Sequence, residues 1–129
     1  MIRTAHQMGM LTTPYAFNET EAEQMADAGA DILVAHMGLT TKGSIGAHTA
    51  LTLEDAAKRV QAIHDAAKGV NPEILVICHG GPIAEPEDAT YVLENTEGVV
   101  GFYGASSAER LPTERAITAQ IEEFKKIRL

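Results

Sequence analysis

The feature that most constrains this chain is the regular return of short apolar runs separated by amphipathic stretches. Ile32-Leu33-Val34-Ala35 and Ile74-Leu75-Val76-Ile77-Cys78 are apolar at every position. A strand with one wet face alternates apolar with polar residues, whereas an unbroken run suits a parallel strand buried on both faces. Met10 to Tyr15, ending at Pro14-Tyr15, and Val99 to Tyr103 complete a set of four expected strands. Between them lie helical patterns. Asn18 is placed to cap a helix with Glu21 at its third position, Ala22, Met25 and Ala26 facing inward, and Gly29 as the stop. Thr52 caps a second helix, whose Ala56, Val60, Ile63 and Ala67 form one stripe. Gly69 closes it and Asn71-Pro72 prevents continuation. Pro86 suits the first position of a third helix, with Ala89, Val92 and Leu93 inward and Gly98 turning the chain out. A fourth helix opens near Pro112 and aligns Ile117, Ile121, Phe124 and Arg128. Strands alternating with helices at this rhythm give a parallel sheet with right-handed crossovers. An open doubly wound sheet and a barrel segment both satisfy the pattern.

Composition narrows the partners. Ten Lys and Arg stand against 18 Asp and Glu, a formal net charge of -8 over 129 residues. With no basic stripe to neutralise phosphates, neither nucleic acid nor an anionic membrane is an expected partner. Cys78 is the single cysteine, which rules out an intrachain disulfide. No apolar run approaches the ~20 residues needed to span a bilayer. The cytoplasm is the expected compartment, and residues 1–129 are expected to be one domain at most.

In parallel α/β folds ligands gather beyond the carboxyl ends of the strands. The polar residues fall there. The second strand runs into His36-Met37-Gly38-Leu39-Thr40-Thr41-Lys42-Gly43-Ser44, the third into His79-Gly80-Gly81-Pro82, and the fourth into Tyr103-Gly104-Ala105-Ser106-Ser107-Ala108-Glu109-Arg110. The first offers less: Thr12, Thr13, Tyr15 and Asn18. Gly80 and Gly81 either let backbone amides approach an anionic ligand or make a tight turn. Ser106 either caps a short helical turn whose amides face an anion or is an ordinary cap. His36 and His79, at adjacent strand ends, are candidates for proton transfer, or else plug the mouth as hydrogen-bonded histidines. His6, His48 and His64 are less promising, and His64 reads as a surface residue. Arg110 and Lys42 are the cations inside these loops, available to an anionic ligand or simply surface charges.

Metal binding is weakly signalled. No Cys pair or HExxH element is present. Glu85, Glu109 and Glu114 offer carboxylates for Mg²⁺, or sit as acids favoured at helix starts. Cys78 reads as a buried strand residue more readily than as a nucleophile.

At these loops the sequence resembles the phosphoenolpyruvate hydrolase-like TIM-barrel family, whose domain also forms the C-terminal part of plant tobamovirus-resistance-type proteins. The resemblance is carried by Leu11-Thr12-Thr13-Pro14-Tyr15, by Val34-Ala35-His36-Met37-Gly38-Leu39-Thr40-Thr41, by His79-Gly80-Gly81-Pro82-Ile83-Ala84, and by Gly101-Phe102-Tyr103-Gly104-Ala105-Ser106-Ser107 with Glu109-Arg110-Leu111-Pro112-Thr113-Glu114 following. It implies a pyruvate-kinase/phosphoenolpyruvate-mutase-like barrel and hydrolysis of phosphoenolpyruvate or action on a related 2-oxo acid. Barrels of that group usually hold Mg²⁺ with carboxylates from earlier strands. A full (β/α)₈ barrel needs about 250 residues, so the chain is expected to be its C-terminal half, four parallel βα units without the N-terminal half. Met1 to Gly9 reads as the last turns of an interrupted helix, which favours a fragment over a separate subunit or a pair of half barrels.

Two functions follow as expectations. One is an enzyme in which His36 and His79 move protons, while Gly38, Thr40, Gly80, Gly81, Gly104, Ser106, Ser107 and Arg110 hold a small phosphorylated or carboxylated ligand and Tyr103 shapes the pocket. The other is a non-catalytic ligand-binding or oligomerisation module.

Overall fold

The computed structural model describes residues 1–46, 48 and 51–127. A short helix α1 (Ile2–Gln7) comes first, with Met8 as its C-cap and Gly9 following at φ +74°. The chain then runs extended into β1 (Tyr15–Ala16). Strand character was expected from Met10, and the shorter ladder has a local cause. Pro14 has no amide hydrogen to give, and the Thr12 amide donates to the Asp31 carboxylate at 2.8 Å. Residues 12–14 still lie along the next strand, because the Thr12 and Pro14 carbonyls accept from Ile32 and Val34 at 3.1 and 3.0 Å.

Helix α2 (Glu19–Asp27) begins as expected, with the Asn18 side chain accepting from the Glu21 amide at 2.9 Å. The Glu21 carboxylate reaches back to the Phe17 amide. β2 (Ile32–His36) pairs in parallel with β1 and with β3 (Leu75–His79). Between β2 and β3 lies α3 (Leu53–Val70), capped by Thr52. Gly69 does not close this helix; it lies inside it, and Asn71 is the C-cap. Helix α4 (Pro86–Glu94) starts on Pro86.

The three strands stand in the order β1-β2-β3. The fourth expected strand is present as a path more than as a ladder. Val100 donates to Val76, Cys78 to Gly101, and Tyr103 to Cys78, at 2.8–2.9 Å, with one parallel bridge between Cys78 and Phe102. Gly101 brings no side chain to pack there, which weakens regular pairing. After it come α5 (Ser106–Glu109) and α6 (Leu111–Lys125). Arg128, expected on the last helical face, lies outside the described residues.

One side of the sheet is covered. Ala22 and Ala26 of α2, Ala56, Val60, Ile63 and Ala67 of α3, and Val92 of α4 pack with Leu33, Val76 and Cys78 as the core. Each large member contributes about 1.5–3 kcal/mol through its burial. Small alanines on α2 and α3 allow close helix packing. By contrast Ile117, Ile121 and Phe124 of α6 are 60%, 49% and 60% exposed, and Leu111 is the only buried residue of that helix. No helix among the described residues is long and apolar enough to cross a membrane.

Candidate functional site

The register that pairs β2 with β3 sets His36 directly opposite His79. Both are the last residues of their strands, both are 9% exposed, and their ring centroids are 4.7 Å apart at 80°. Adjacency of the two imidazoles therefore follows from topology.

Backbone groups hold each ring. The Gly38 amide donates to His36 Nδ1 at 2.9 Å. His79 Nδ1 lies 2.5 Å from the Tyr103 carbonyl. Burial pushes the His36 pKa below the ordinary histidine value, and the neighbouring His79 pushes it the same way. His36 is thus kept neutral near pH 7.

Three aromatic side chains complete the mouth. Tyr15 lies 4.7 Å from His36 and stacks on His79 at 5.3 Å. Phe17 lies 4.6 Å from His36, and Tyr103 lies 5.9 Å from His79 and 6.2 Å from Tyr15. Each keeps part of its surface open, between 39% and 46%. Tyr15 was the faint signal at the end of the first strand. Phe17 gave none, because an apolar residue just before a helix cap reads as a packing staple.

The glycines have a structural explanation. Gly80 and Gly81 have φ of +75° and +59°, and a Cβ on either would sit 2.2 Å from the Gly38 carbonyl oxygen or 2.4 Å from that of Met37. The Gly81 amide donates to Gly38 at 2.8 Å, so it is not free for a ligand as the sequence suggested. These residues let the loops after β2 and β3 pack against each other, which is the tight-turn alternative. Thr41 adds to the clasp by donating to the Gly81 carbonyl from its amide at 3.1 Å.

Both loop cations are also engaged. Lys42 Nζ pairs with Asp88 Oδ2 at 2.6 Å. Burial raises the Asp88 pKa, but the Lys42 ammonium and the Glu85 and Ala84 amides outweigh it, and the net shift is downward. Arg110 pairs with Glu114 at 2.9 Å and donates to the Lys42 carbonyl at 3.0 Å. Arg110, read from the sequence as a partner for an anionic ligand or a surface charge, has a side chain only 19% exposed and ties the loop after β2 to the start of α6. Glu114 also accepts from the Ser44 amide and hydroxyl. Gly43 sits at φ +93°, a conformation that favours glycine, with the tips of the Arg110, Glu114 and Leu111 side chains beside it.

Ser106 is not the cap of its turn. It is the first residue of α5, Ala105 is the N-cap, and no side chain caps it. Ser106 and Ser107 follow Tyr103 and Gly104 at the same strand end, with Ser107 Oγ close to Gly104. Thr40 is half-buried in the loop after β2. His64, expected on the surface, is 8% exposed, and its Nε2 is buried against Gly98 without a partner. Cys78 is fully buried, and burial pushes its thiol up to about 11, which removes it as a nucleophile.

Mg²⁺ requires a set of oxygen ligands. The mouth presents two imidazoles and aromatic rings, Glu85 is paired with Arg115, and Glu114 with Arg110. Among the described residues no three His, Cys, Asp or Glu side chains converge. These residues do not fit Mg²⁺.

A parallel α/β sheet with helices between its strands is the architecture shared by barrels and doubly wound folds. Solved structures that it resembles include TIM-barrel enzymes. FabK from Thermotoga maritima matches with a TM-score of 0.53 at 25% identity over 78% of this chain and 28% of its own. Nitroalkane oxidase from Streptomyces ansochromogenes matches with 0.55 at 23% identity, over 91% and 35%. The phosphoenolpyruvate hydrolase-like family model matches residues 1–127, and the chain belongs to that family. Relatives include the tomato (Solanum lycopersicum) ToMV susceptible protein tm-1(GCR26), 65% identical, and ToMV resistance protein Tm-1(GCR237), 63% identical, each over 98% of this chain. A putative transcriptional regulatory protein y4pA of Sinorhizobium fredii is 31% identical over the same share. The chain spans 17% of the length of the two tomato proteins and 21% of the bacterial one.

Proposed function

We propose that the strand-end mouth is part of an active site for a small phosphorylated or 2-oxo acid, of the phosphoenolpyruvate kind. The observation that carries this reading is the His36–His79 pair, two imidazoles side by side with their Nδ1 atoms occupied by backbone. General acid–base work needs such groups at hydrogen-bond reach of one ligand. Family membership supports the substrate class. Tyr15, Phe17 and Tyr103 would wall the ligand, and Gly104, Ser106 and Ser107 lie where the last strand would deliver its anionic end. Gly38 and Gly80 lie against the His36 ring and, with Thr40 on the same loop as Gly38, would border the ligand from the other loops.

The chain is further proposed to be four βα units of a (β/α)₈ barrel whose remaining strands lie outside it. Leu75 at 47% exposure on β3 and the open apolar stripe of α6 support a sheet and helix awaiting neighbours. A second copy of the chain is the other way to supply them. The cytoplasm remains the proposed compartment, in keeping with a single buried thiol and an acidic surface that suits neither nucleic acid nor an anionic membrane.

A second reading is favoured by one specific observation: Lys42 and Arg110 are both paired internally, which leaves a trianionic ligand poorly compensated. On that reading the domain is a non-catalytic binding or oligomerisation module. Phosphate release from phosphoenolpyruvate separates the two. It is measured for this chain, and for the tomato relative with its matching segment replaced by residues 1–127. Turnover that His79→Asn removes supports the enzyme. No turnover in either protein, with ligand binding indifferent to His79→Asn, supports the module.

A further inference from the structure

We propose that the two histidines divide an enolisation between them: His79 takes the proton from the carbon beside the carbonyl of a small 2-oxo acid, and His36 hydrogen-bonds the carbonyl oxygen. This rests on the active-site reading above and adds the reaction and the separate roles.

A neutral imidazole has one nitrogen that donates and one that accepts. His36 Nδ1 receives the Gly38 amide hydrogen, so its own proton sits on Nε2. His79 Nδ1 faces the Tyr103 carbonyl, which can only accept, so the proton sits on Nδ1 and Nε2 keeps its lone pair. The backbone therefore sets two identical side chains into opposite states, one donor and one base, with ring centroids 4.7 Å apart. Neither Nε2 atom is both buried and without a partner; among the described residues His64 Nε2 is the side-chain nitrogen in that condition.

The step balances without a co-reactant. The C–H bond breaks and its proton goes to the His79 Nε2 lone pair. The bonding electrons form the C=C bond, and the carbonyl π electrons move to oxygen, where the His36 Nε2–H holds the developing negative charge. Burial keeps His36 neutral, and a neutral imidazole can polarise a carbonyl in this way. Return of a solvent-exchanged proton from His79 regenerates the ligand. An enolate is planar, and Tyr15, stacked on His79 at 26°, offers it a flat wall.

The test is exchange of the methyl protons of pyruvate in D₂O, followed by proton NMR with the chain and without it. The chain should accelerate exchange above the buffer rate. His79→Asn keeps an amide donor for the Tyr103 carbonyl and removes only the base, and it should lower the acceleration about 10²-fold or more. His36→Asn keeps an acceptor for the Gly38 amide and should lower it at least about tenfold. Saturation-transfer NMR reports binding of pyruvate, and separately of phosphoenolpyruvate, in all three proteins. Binding without exchange, or exchange that survives His79→Asn, overturns the enolisation while leaving the active-site reading standing. Absence of binding by both pyruvate and phosphoenolpyruvate overturns both.

Discussion

Helices α3 and α6 carry the same kind of apolar stripe and meet different fates. On α3, Ala56, Val60, Ile63 and Ala67 are all at most 1% exposed, pressed on the sheet. On α6, Ile117, Ile121 and Phe124 stay about half open or more. Periodicity specifies that a face is meant to be covered; it does not specify that the cover lies in the same stretch of chain. Burial within this chain is complete where α2, α3 and α4 cover one side of the β1-β2-β3 sheet, and it is not complete along α6.

Matched truncations on the two helices should differ most. Ile63→Ala should cost about 2–4 kcal/mol in urea unfolding, because it opens a cavity in a closed core. Phe124→Ala should cost under about 0.5 kcal/mol, as for exposed positions. Equal losses would mean that α6 is covered in solution. Next in size is Gly81→Ala, which puts a Cβ against the Met37 carbonyl at φ +59° and should cost about 1–3 kcal/mol. It tests whether the closed side extends up to the loops around the mouth. Lys42→Met leaves the Asp88 carboxylate with its backbone donors alone, and since Lys42 is 44% exposed in its side chain the loss should be about 1 kcal/mol or less.

The smallest effect is a pH dependence. His36 has a lowered pKa in the folded chain, so the unfolded chain takes up its proton first as the pH falls. Its contribution is complete above the ordinary histidine value of about 6.5 and is lost as the pH drops through the lower folded value. His36→Asn should flatten the stability profile in that window, measured by urea midpoints at a series of pH values.

Much of this arrangement was legible in the sequence. The unbroken apolar runs gave β2 and β3, the Asn18, Thr52 and Pro86 signals gave three helix starts, and the strand-end rule brought His36 and His79 together. What escaped has physical reasons. Met10 to Pro14 looks like a strand, but Pro14 lacks a hydrogen and the Thr12 amide is taken by Asp31. Gly80 and Gly81 signal close approach, yet composition cannot tell a ligand from a neighbouring loop. Lys42 looks free because its partner, Asp88, belongs to a helix that only the tertiary fold brings near the loop, whereas Arg110 and Glu114 stand four residues apart at the start of α6, a spacing that was open to a sequence reading. His64 sits among polar neighbours in sequence while the turn at Gly98 covers it. Phe17 carries no signal until β1 places it beside His36.

The central claim is that the backbone holds His36 and His79 in opposite tautomers at one mouth. Nitrogen-15 NMR of the imidazole rings, assigned with the two asparagine variants, reads this directly. At neutral pH the account expects His36 protonated on Nε2 and His79 protonated on Nδ1, each as a distinct pair of nitrogen shifts. Two rings showing the same tautomer, or shifts averaged between tautomers in both, would contradict it.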